Sequence, residues 1–277
     1  MNSESRPARA YLTAEPLSDR SSRVVSIAKL ARASVRRERG EFLVEGANSV
    51  TAALDTGRAT HLLVRDADID RFADLIARGI DDGVQVLQLT PRAADKLAET
   101  STTPGVFAVC ASLDADLGEL LGTQPRLLAI AVEMREPGNA GTLIRCADAM
   151  GADAVILLGD SVDPHNGKCV RASAGSIFHV PVIRERDIAA GLDAVRTAGL
   201  TILATAADGE LTLDDASTIL AGPTAWLFGN EAHGLSDDVA VSADHRISIP
   251  IRGRAESLNL AAASAICLYA SSVALAR

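Results

Sequence analysis

The sequence predicts an α/β protein whose C-terminal part is built around a mostly parallel β-sheet. Short apolar segments alternate with helical patterns twice, first over residues 41–110 and again over residues 127–276. Such alternation is typical of parallel strands joined by helices that cover both faces of a sheet. At 277 residues, of which 48% are hydrophobic, the chain can fill one large domain or two modest ones.

The N-terminal elements follow from periodicity and from turn residues. Residues 1–22 are polar and rich in proline, serine and arginine, so we expect a flexible basic arm there. The spacing of apolar residues predicts a first helix over residues 23–33. Further strands are predicted at 41–45, 61–64, 84–87 and 106–110, and further helices at 47–56, 69–78 and 91–99. We therefore expect a small α/β domain over residues 23–111, followed by a linker over residues 112–125.

The second alternation predicts a larger domain over residues 126–277. Its strands are expected at 127–132, 154–158, 179–183, 201–204, 225–228 and 247–250. Its helices are expected at 140–150, 168–174, 188–198, 236–241 and 257–276, with Ser257 as the N-cap of the last helix. That last helix is small or apolar on nearly every face, so we expect it to be buried, in part against a second copy of the chain.

Charge and composition exclude several classes of function. The net charge of −9 argues against a protein that coats nucleic acid, yet residues 1–40 carry nine Lys/Arg against four acids. This basic start is either a solvated arm and helix face or a patch that contacts RNA phosphates, for which Arg36 and Arg37 are candidates. The four scattered cysteines and five histidines show no metal-ligand spacing. With no apolar run of membrane-spanning length and no secretory signal, we expect a cytoplasmic protein.

Three polar clusters follow predicted strands, where open α/β sheets bind ligands. They are residues 136–145 (EPGNAGTLIR), 228–236 (FGNEAHGLS) and 249–260 (IPIRGRAESLNL). In this order the clusters resemble motifs 1, 2 and 3 of the SpoU (TrmH-type) branch of the SPOUT RNA methyltransferases. Residues 42–46 (FLVEG) and 103–109 (TPGVFAV) resemble the opening and closing signatures of that family's N-terminal substrate-binding domain.

The resemblance implies a fold and an activity that the residue pattern alone does not predict. It implies a C-terminal SPOUT-type α/β domain with a deep trefoil knot, preceded by a small ribosomal-protein-like RNA-binding domain. It also implies a homodimer through the C-terminal domain that transfers a methyl group from S-adenosylmethionine to a ribose 2′-hydroxyl, with no metal ion. The extra N-terminal domain favours ribosomal RNA as the substrate. Transfer RNA, or a non-catalytic role in RNA binding or assembly, stays open, whereas a Rossmann-type oxidoreductase lacks its G-x-G-x-x-G loop.

The resemblance also assigns candidate site residues. The catalytic candidates are Arg145, Asn139, Glu231, Ser257 and Asn259. The cofactor-binding candidates are Thr205, Gly229, Asn230, Ile249 and Leu258. Besides Arg36 and Arg37, Arg171 and Ser173 in the segment RASAGS are RNA-binding candidates, with a capped helix end as the alternative.

Each catalytic candidate also has an ordinary structural interpretation. Asn139 could be only an N-cap, Arg145 only a surface charge and Glu231 only an acid in a first helical turn. Arginine holds its proton too tightly to serve simply as a general base. We therefore expect Arg145 to stabilise an oxyanion and clamp a phosphate, while a substrate phosphate or water assists proton loss. Glu136 replaces the family's usual aspartate, and Leu260 and Ala261 also depart from its pattern.

Overall fold

A computed structural model of the chain describes residues 15–230 and 233–276. These residues form two compact units. Unit 1 combines the described residues up to Ser112 with the segment His165–Phe178, and unit 2 holds Leu113–Pro164 and the described residues from His179 onward. The sequence interpretation placed residues 165–178 in the C-terminal domain, whereas their contacts group them with the N-terminal residues.

The secondary structure follows the predicted alternation. In chain order, the strands are β1 (Glu41–Glu45), β2 (Ala59–Arg65), β3 (Gln85–Leu89), β4 (Val106–Ala111), β5 (Asp114–Ala115), β6 (Leu127–Val132), β7 (Ala154–Leu158), β8 (Val182–Glu185), β9 (Thr201–Thr205), β10 (Leu211–Thr212), β11 (Thr224–Phe228) and β12 (His245–Ser248). The helices are α1 (Ser22–Ala28), α2 (Ala33–Arg39), α3 (Ala47–Asp55), α4 (Ala73–Asp81), α5 (Pro91–Leu97), α6 (Leu117–Gly122), α7 (Pro137–Ala149), α8 (Gly167–Ser173), α9 (Ile188–Thr197), α10 (Ser217–Leu220), α11 (Asp237–Ser242) and α12 (Leu260–Leu275).

Unit 1 is built on a four-stranded mixed sheet in the order β1-β4-β2-β3. Strand β4 runs antiparallel to both β1 and β2, while β2 and β3 are parallel. On one face, α1 and α5 pack their apolar side chains against Leu63, Phe107 and Val109. On the other face, Leu62 meets α4 at Gly79. The two neighbouring residues Leu62 and Leu63 point to opposite faces, as the period of a strand requires.

The first predicted helix is interrupted in the structure. A 3₁₀ turn over Lys29–Ala31 follows α1, and Arg32 is extended, with φ −92° and ψ 127°. A second helix, α2, then runs to Gly40, whose φ of 61° ends it in the left-handed region. The predicted helix over residues 23–33 was therefore wrong in its C-terminal part, and α2 was missed.

Unit 2 is built on an eight-stranded sheet in the order β10-β12-β9-β11-β6-β7-β8-β5. All of its strand pairs are parallel. Every residue of β6, β7 and β11 is buried, which explains why these strands read as continuous apolar runs. The α/β prediction with a parallel C-terminal sheet is confirmed.

The C-terminal helix α12 packs against α7, α10 and strands β6 and β11. The buried Trp226 donates a hydrogen bond from Nε1 to the Ser271 hydroxyl at 2.8 Å. The helix begins at Leu260, and the side chain of Asn259 accepts a hydrogen bond from the Ala261 N–H at 2.9 Å. The N-cap is therefore Asn259, and the prediction of Ser257 was wrong. The threading of this segment through a knot stays a prediction.

None of the described helices is long and apolar enough to span a lipid bilayer. The four cysteines are free thiols, and Cys110, Cys169 and Cys267 are buried.

Candidate active site

Two of the polar clusters meet at one edge of the parallel sheet. Strands β6 and β11 are direct neighbours in parallel register, with Ala131 opposite Phe228. The loops that leave their carboxyl ends therefore lie side by side. Between them is an open cleft of about 650 Å³, a size typical of small-molecule sites. The cleft is lined by Glu133, Arg135, Glu136, Asn230, His233, Gly234 and Ser236.

The loop after β11 is tied to itself and to the loop after β6. The backbone groups of Asn230 and Gly234 exchange hydrogen bonds of 2.9 and 2.8 Å. The Asn230 side chain donates from Nδ2 to the Glu133 carbonyl at 2.9 Å. A Cβ at Gly229 would lie 2.2 Å from the Gly234 carbonyl carbon, so only glycine fits this turn. Asn230 thus connects the two loops, and Glu231 lies outside the described residues.

Helix α7 carries the candidates from the first cluster. It begins at Pro137, and the side chain of its N-cap Glu136 accepts a hydrogen bond from the Gly138 N–H. Asn139 is therefore a half-buried residue of the first turn, not the cap. Arg145 follows about 9 Å further along the helix axis and about a third of a turn around it. The two side chains therefore leave α7 at different heights and on different sides of the helix.

Arg145 is exposed, although its helix neighbours Leu143, Ile144 and Ala147 are fully buried. Its guanidinium forms no ion pair or hydrogen bond with another described residue. The fold thus presents a charged group to solvent and leaves its five donors available to a ligand.

The cofactor-binding candidates also gather at the carboxyl edge of the sheet. Strand β9 lies between β11 and β12. Thr205 is the last residue of β9, Gly229 directly follows β11, and Ile249 directly follows β12. The Thr205 hydroxyl donates to the Leu227 carbonyl at 2.9 Å, which fixes its position against β11. The structure therefore brings three residues from distant parts of the sequence to three adjacent strand ends.

The loop after β9 is held against β12. The Ala206 N–H donates to the Ile247 carbonyl at 3.0 Å, and a Cβ at Gly209 would clash with the β12 backbone. Arg246 pairs with Asp208 and lowers the pKa of that carboxyl through a hydrogen bond. These contacts make the loop a fixed wall beside the candidate cofactor residues.

The third cluster forms an irregular segment before α12. Ser257 is exposed there, and Leu258 keeps 37% of its surface exposed. Ile251, in the same segment, is also exposed. Because the Asn259 oxygen caps α12, this residue already has a structural role. The catalytic roles assigned to Ser257 and Asn259 stay predictions.

The four RNA-binding candidates are placed differently in unit 1. Arg36 is buried and donates to the carbonyls of Leu30 and Ala31 at 2.8 and 3.0 Å, whereas Arg37 is exposed. Ser173 is fully buried and donates its hydroxyl hydrogen bond to the Val170 carbonyl.

Arg171 forms ion pairs of 2.9 Å with the carboxylates of Glu45 and Glu99. The polar groups of Arg36 and Ser173 are thus hydrogen-bonded inside the fold, which favours a structural role, and their RNA-binding roles stay predictions. Both ion pairs of Arg171 use Nη1, and its role in RNA binding stays a prediction.

Sequence reasoning missed three charged or titratable residues that line the cleft, namely Glu133, Arg135 and His233. The signal was their position, since Glu133 and Arg135 lie just before the first cluster and His233 lies within the second. Because neither the resemblance nor the periodicity gave these residues a role, only the neighbouring strand ends reveal them.

Comparison with known proteins gives two family matches. A model described as the SpoU rRNA Methylase family matches residues 126–269, and one described as an MRM3-like substrate binding domain matches residues 21–108. The chain is 33% identical over 242 residues to the 23S rRNA (guanosine(2553)-2′-O)-methyltransferase RlmP of Bacillus subtilis (strain 168), covering 87% of this chain and 92% of that protein.

A second relative, the 23S rRNA (uridine(2479)-2′-O)-methyltransferase of Streptomyces viridochromogenes, is 30% identical over 248 residues, covering 87% of this chain and 86% of that protein. Among solved structures, an AdoMet-bound rRNA methyltransferase from Sinorhizobium meliloti superimposes with a TM-score of 0.79 at 30% identity. That match covers 91% of this chain and 94% of the other.

Proposed function

Because the chain belongs to the SpoU rRNA methylase family, we propose that it transfers a methyl group from S-adenosylmethionine to a ribose 2′-hydroxyl of ribosomal RNA. The observation that carries this proposal is the convergence of the three polar clusters on the carboxyl edge of one parallel sheet. The names of the relatives favour ribosomal over transfer RNA as the substrate. Such a substrate favours a cytoplasmic location.

The cofactor would be held by backbone groups near Gly229, Ile249 and Leu258, with Thr205 and Asn230 beside them. The chemistry of this edge fits that role. The exposed part of Leu258 and the half-buried Ile249 offer apolar surface to an adenine, and the tight turn at Gly229 leaves no side chain in the way. When bound, S-adenosylmethionine supplies an electrophilic methyl group on a sulfonium.

Arg145 would act on the RNA and not on the cofactor. A guanidinium carries five N–H donors and no acceptor, so Arg145 would serve as a donor to the developing oxyanion and to an adjacent phosphate. Proton loss from the 2′-hydroxyl would then be assisted by a substrate phosphate or water. Glu231 would orient the ribose or Arg145. Asn139, in the first turn of α7, would contribute its side chain to the same catalytic site.

A second copy of the chain would pack beside this site, because the helix next to α7 keeps apolar surface exposed. Helix α12 packs against α7 and still exposes Ile266 (39%) and Tyr269 (59%). An apolar face of this kind supports a two-fold contact between identical helices. We therefore propose a homodimer through unit 2.

Labelled S-adenosylmethionine and 23S ribosomal RNA test the activity, with transfer RNA in a parallel reaction. Methyl transfer to a ribose of 23S RNA is expected. If only transfer RNA is methylated, the substrate is transfer RNA and not ribosomal RNA. RNA binding without any methylation would favour a role as an assembly factor. Light scattering tests the dimer, for which Ala270→Glu should give monomers with little activity. A fully active monomer would contradict that assembly.

A further inference from the structure

Unit 1 contains a hollow of about 370 Å³ beside α1, separate from the residues that line the cleft of unit 2. Its polar lining consists of Ser22, Arg23, Ser26, Arg39 and His61, which come from α1, α2 and β2. We propose that this hollow binds a backbone phosphate of the RNA substrate. This inference rests on the proposed function, because it concerns the same substrate.

The hollow forms where an apolar layer of unit 1 ends. Val24 and Ile27 of α1 pack in one cluster with Leu63 of β2 and Val109 of β4. His61 shares a strand face with Leu63, since it lies two residues earlier on β2. Ile27 and Val109 form the apolar floor of the hollow, and the other side chains that line it are polar. The topology thus gathers donors from three elements at the edge of this layer.

The two arginines of the hollow differ in how firmly they are held. Arg39 donates to the carbonyl and the hydroxyl of Ser26, both at 3.1 Å, and pairs with Glu41. Arg23 is exposed and has no ion pair or hydrogen bond with another described residue. Arg39 is thus held in place with Glu41 as its anionic partner and adds positive charge to the hollow, whereas the exposed Arg23 offers the planar fork that matches phosphate oxygens.

The imidazole of His61 adds a neutral group that can respond to an anion. Burial lowers the pKa of His61, and the charge of Arg23 lowers it further. Arg39 also lowers this pKa, while Glu41 and a hydrogen bond between His61 and the Gln85 side chain raise it. A bound phosphate would oppose these effects by favouring the imidazolium.

The surrounding charge fits a polyanionic partner. Residues 15–40 carry seven Lys/Arg and three acids, in a chain whose net charge is −9. A local positive patch on an acidic protein concentrates a polyanion at that patch. Arg36 contributes no accessible donor to it, because its guanidinium is turned toward the carbonyls of Leu30 and Ala31.

Arg23→Glu in the full-length protein tests the proposal, with Arg71→Glu as the matched control. Arg71 is also exposed in unit 1, but it lies just before α4, on the other face of the sheet. Arg23→Glu should weaken binding of a 23S RNA fragment by at least ~10-fold at low salt and reduce the slope of log K against log salt by about one. Arg71→Glu should leave both within about twofold. The cofactor affinity, and kcat at saturating RNA, should not change in either variant.

A pH series gives a second readout. Because a bound anion raises the lowered pKa of His61, the complex takes up a proton that the free protein does not hold, so wild-type RNA affinity should increase as the pH falls toward the lowered pKa of the free imidazole. This increase should be missing in His61→Gln. An identical pH profile in both proteins would overturn the role of His61.

The outcomes separate this inference from the proposed function. If the wild type methylates RNA while Arg23→Glu binds RNA normally, the phosphate site is wrong and the enzyme activity stands. If the wild type transfers no methyl group, but Arg23→Glu still weakens RNA binding, the site stands and the activity fails. Titration with inorganic phosphate alone distinguishes the source of the anion, since loss of phosphate binding without loss of RNA binding would overturn an RNA site.

Discussion

Arg145 of unit 2 and Arg36 of unit 1 are both arginines within a helix, on α7 and α2 respectively. Arg145 is exposed and has no described partner, whereas Arg36 is 6% exposed and binds two main-chain carbonyls. A guanidinium that satisfies buried carbonyls contributes to folding, and it is then unavailable to a ligand. The comparison teaches that the role of an arginine depends on the groups around its guanidinium and not on the helix that carries it.

Arg171 lies between these extremes. Its side chain is 26% exposed and pairs with Glu45, whose side chain is 7% exposed, and with Glu99. Glu99 also lies against Gly167 at the first turn of α8. Acidic and basic groups thus hold the segment His165–Phe178 to the rest of unit 1, together with the ring contacts of Phe42 with His165 and Phe178.

The largest expected effect is at Arg145. Arg145→Ala should reduce methyl transfer by ~10²- to 10³-fold, because a donor aimed at a developing charge contributes about that much. Cofactor affinity, measured by calorimetry, should stay within a few-fold. Arg145→Lys should not restore activity, since a point charge cannot reproduce a planar fork. Arg186→Ala, which removes another exposed arginine of unit 2, is the control. Equal losses of cofactor affinity and activity would contradict this assignment.

Arg171→Met should act mainly on stability. It leaves the buried Glu45 carboxylate without its ion-pair partner, which typically costs about 3 kcal/mol. Urea unfolding measures the change, and Glu45→Gln in the same chain should recover part of the loss, because the uncompensated charge is then removed. If the single and double variants are equally unstable, the ion pair is not what holds this segment.

Arg36→Met should destabilise the fold by about 2 kcal/mol, since it removes charged hydrogen bonds to two carbonyls. Arg37→Met removes the same charge from the same helix at an exposed position, so its free energy of unfolding should change by less than about 0.5 kcal/mol. Chemical denaturation compares the two variants directly. Equal effects would remove the distinction between a structural and an available arginine.

The smallest expected effect concerns the start of α12. Asn259→Ala should cost about 1 kcal/mol through loss of the cap, whereas Ser257→Ala should cost less than about 0.5 kcal/mol. Thermal unfolding checks both. A larger loss for Ser257→Ala would return the N-cap to that residue. Activity measured on the same variants tests separately the catalytic roles predicted for them.

The sequence by itself determined several strands, most directly the apolar runs of β6 and β7, which are buried on both faces. Strands β1, β6 and β7 have the predicted bounds, and the polar clusters do follow β6 and β11. Burial requires apolar residues in a regular pattern along the segment, so the strand can be predicted from the sequence of that segment alone. The order of the strands and the conjunction of Thr205, Gly229 and Ile249 at one edge could be anticipated only through the resemblance.

Only the tertiary structure decided which partner each polar side chain takes. Arg171 meets Glu45 and Glu99 from positions 126 and 72 residues away in sequence, and the chain pattern around Arg171 carries no trace of either. The break between α1 and α2 coincides with hydrogen bonds from Arg36 that reach back across it. A buried strand or helix face needs apolar residues at regular positions whatever packs against it, so the sequence of that segment shows it. A hydrogen bond or ion pair instead depends on one particular atom that is distant in sequence, so its partner is fixed only when the chain has folded.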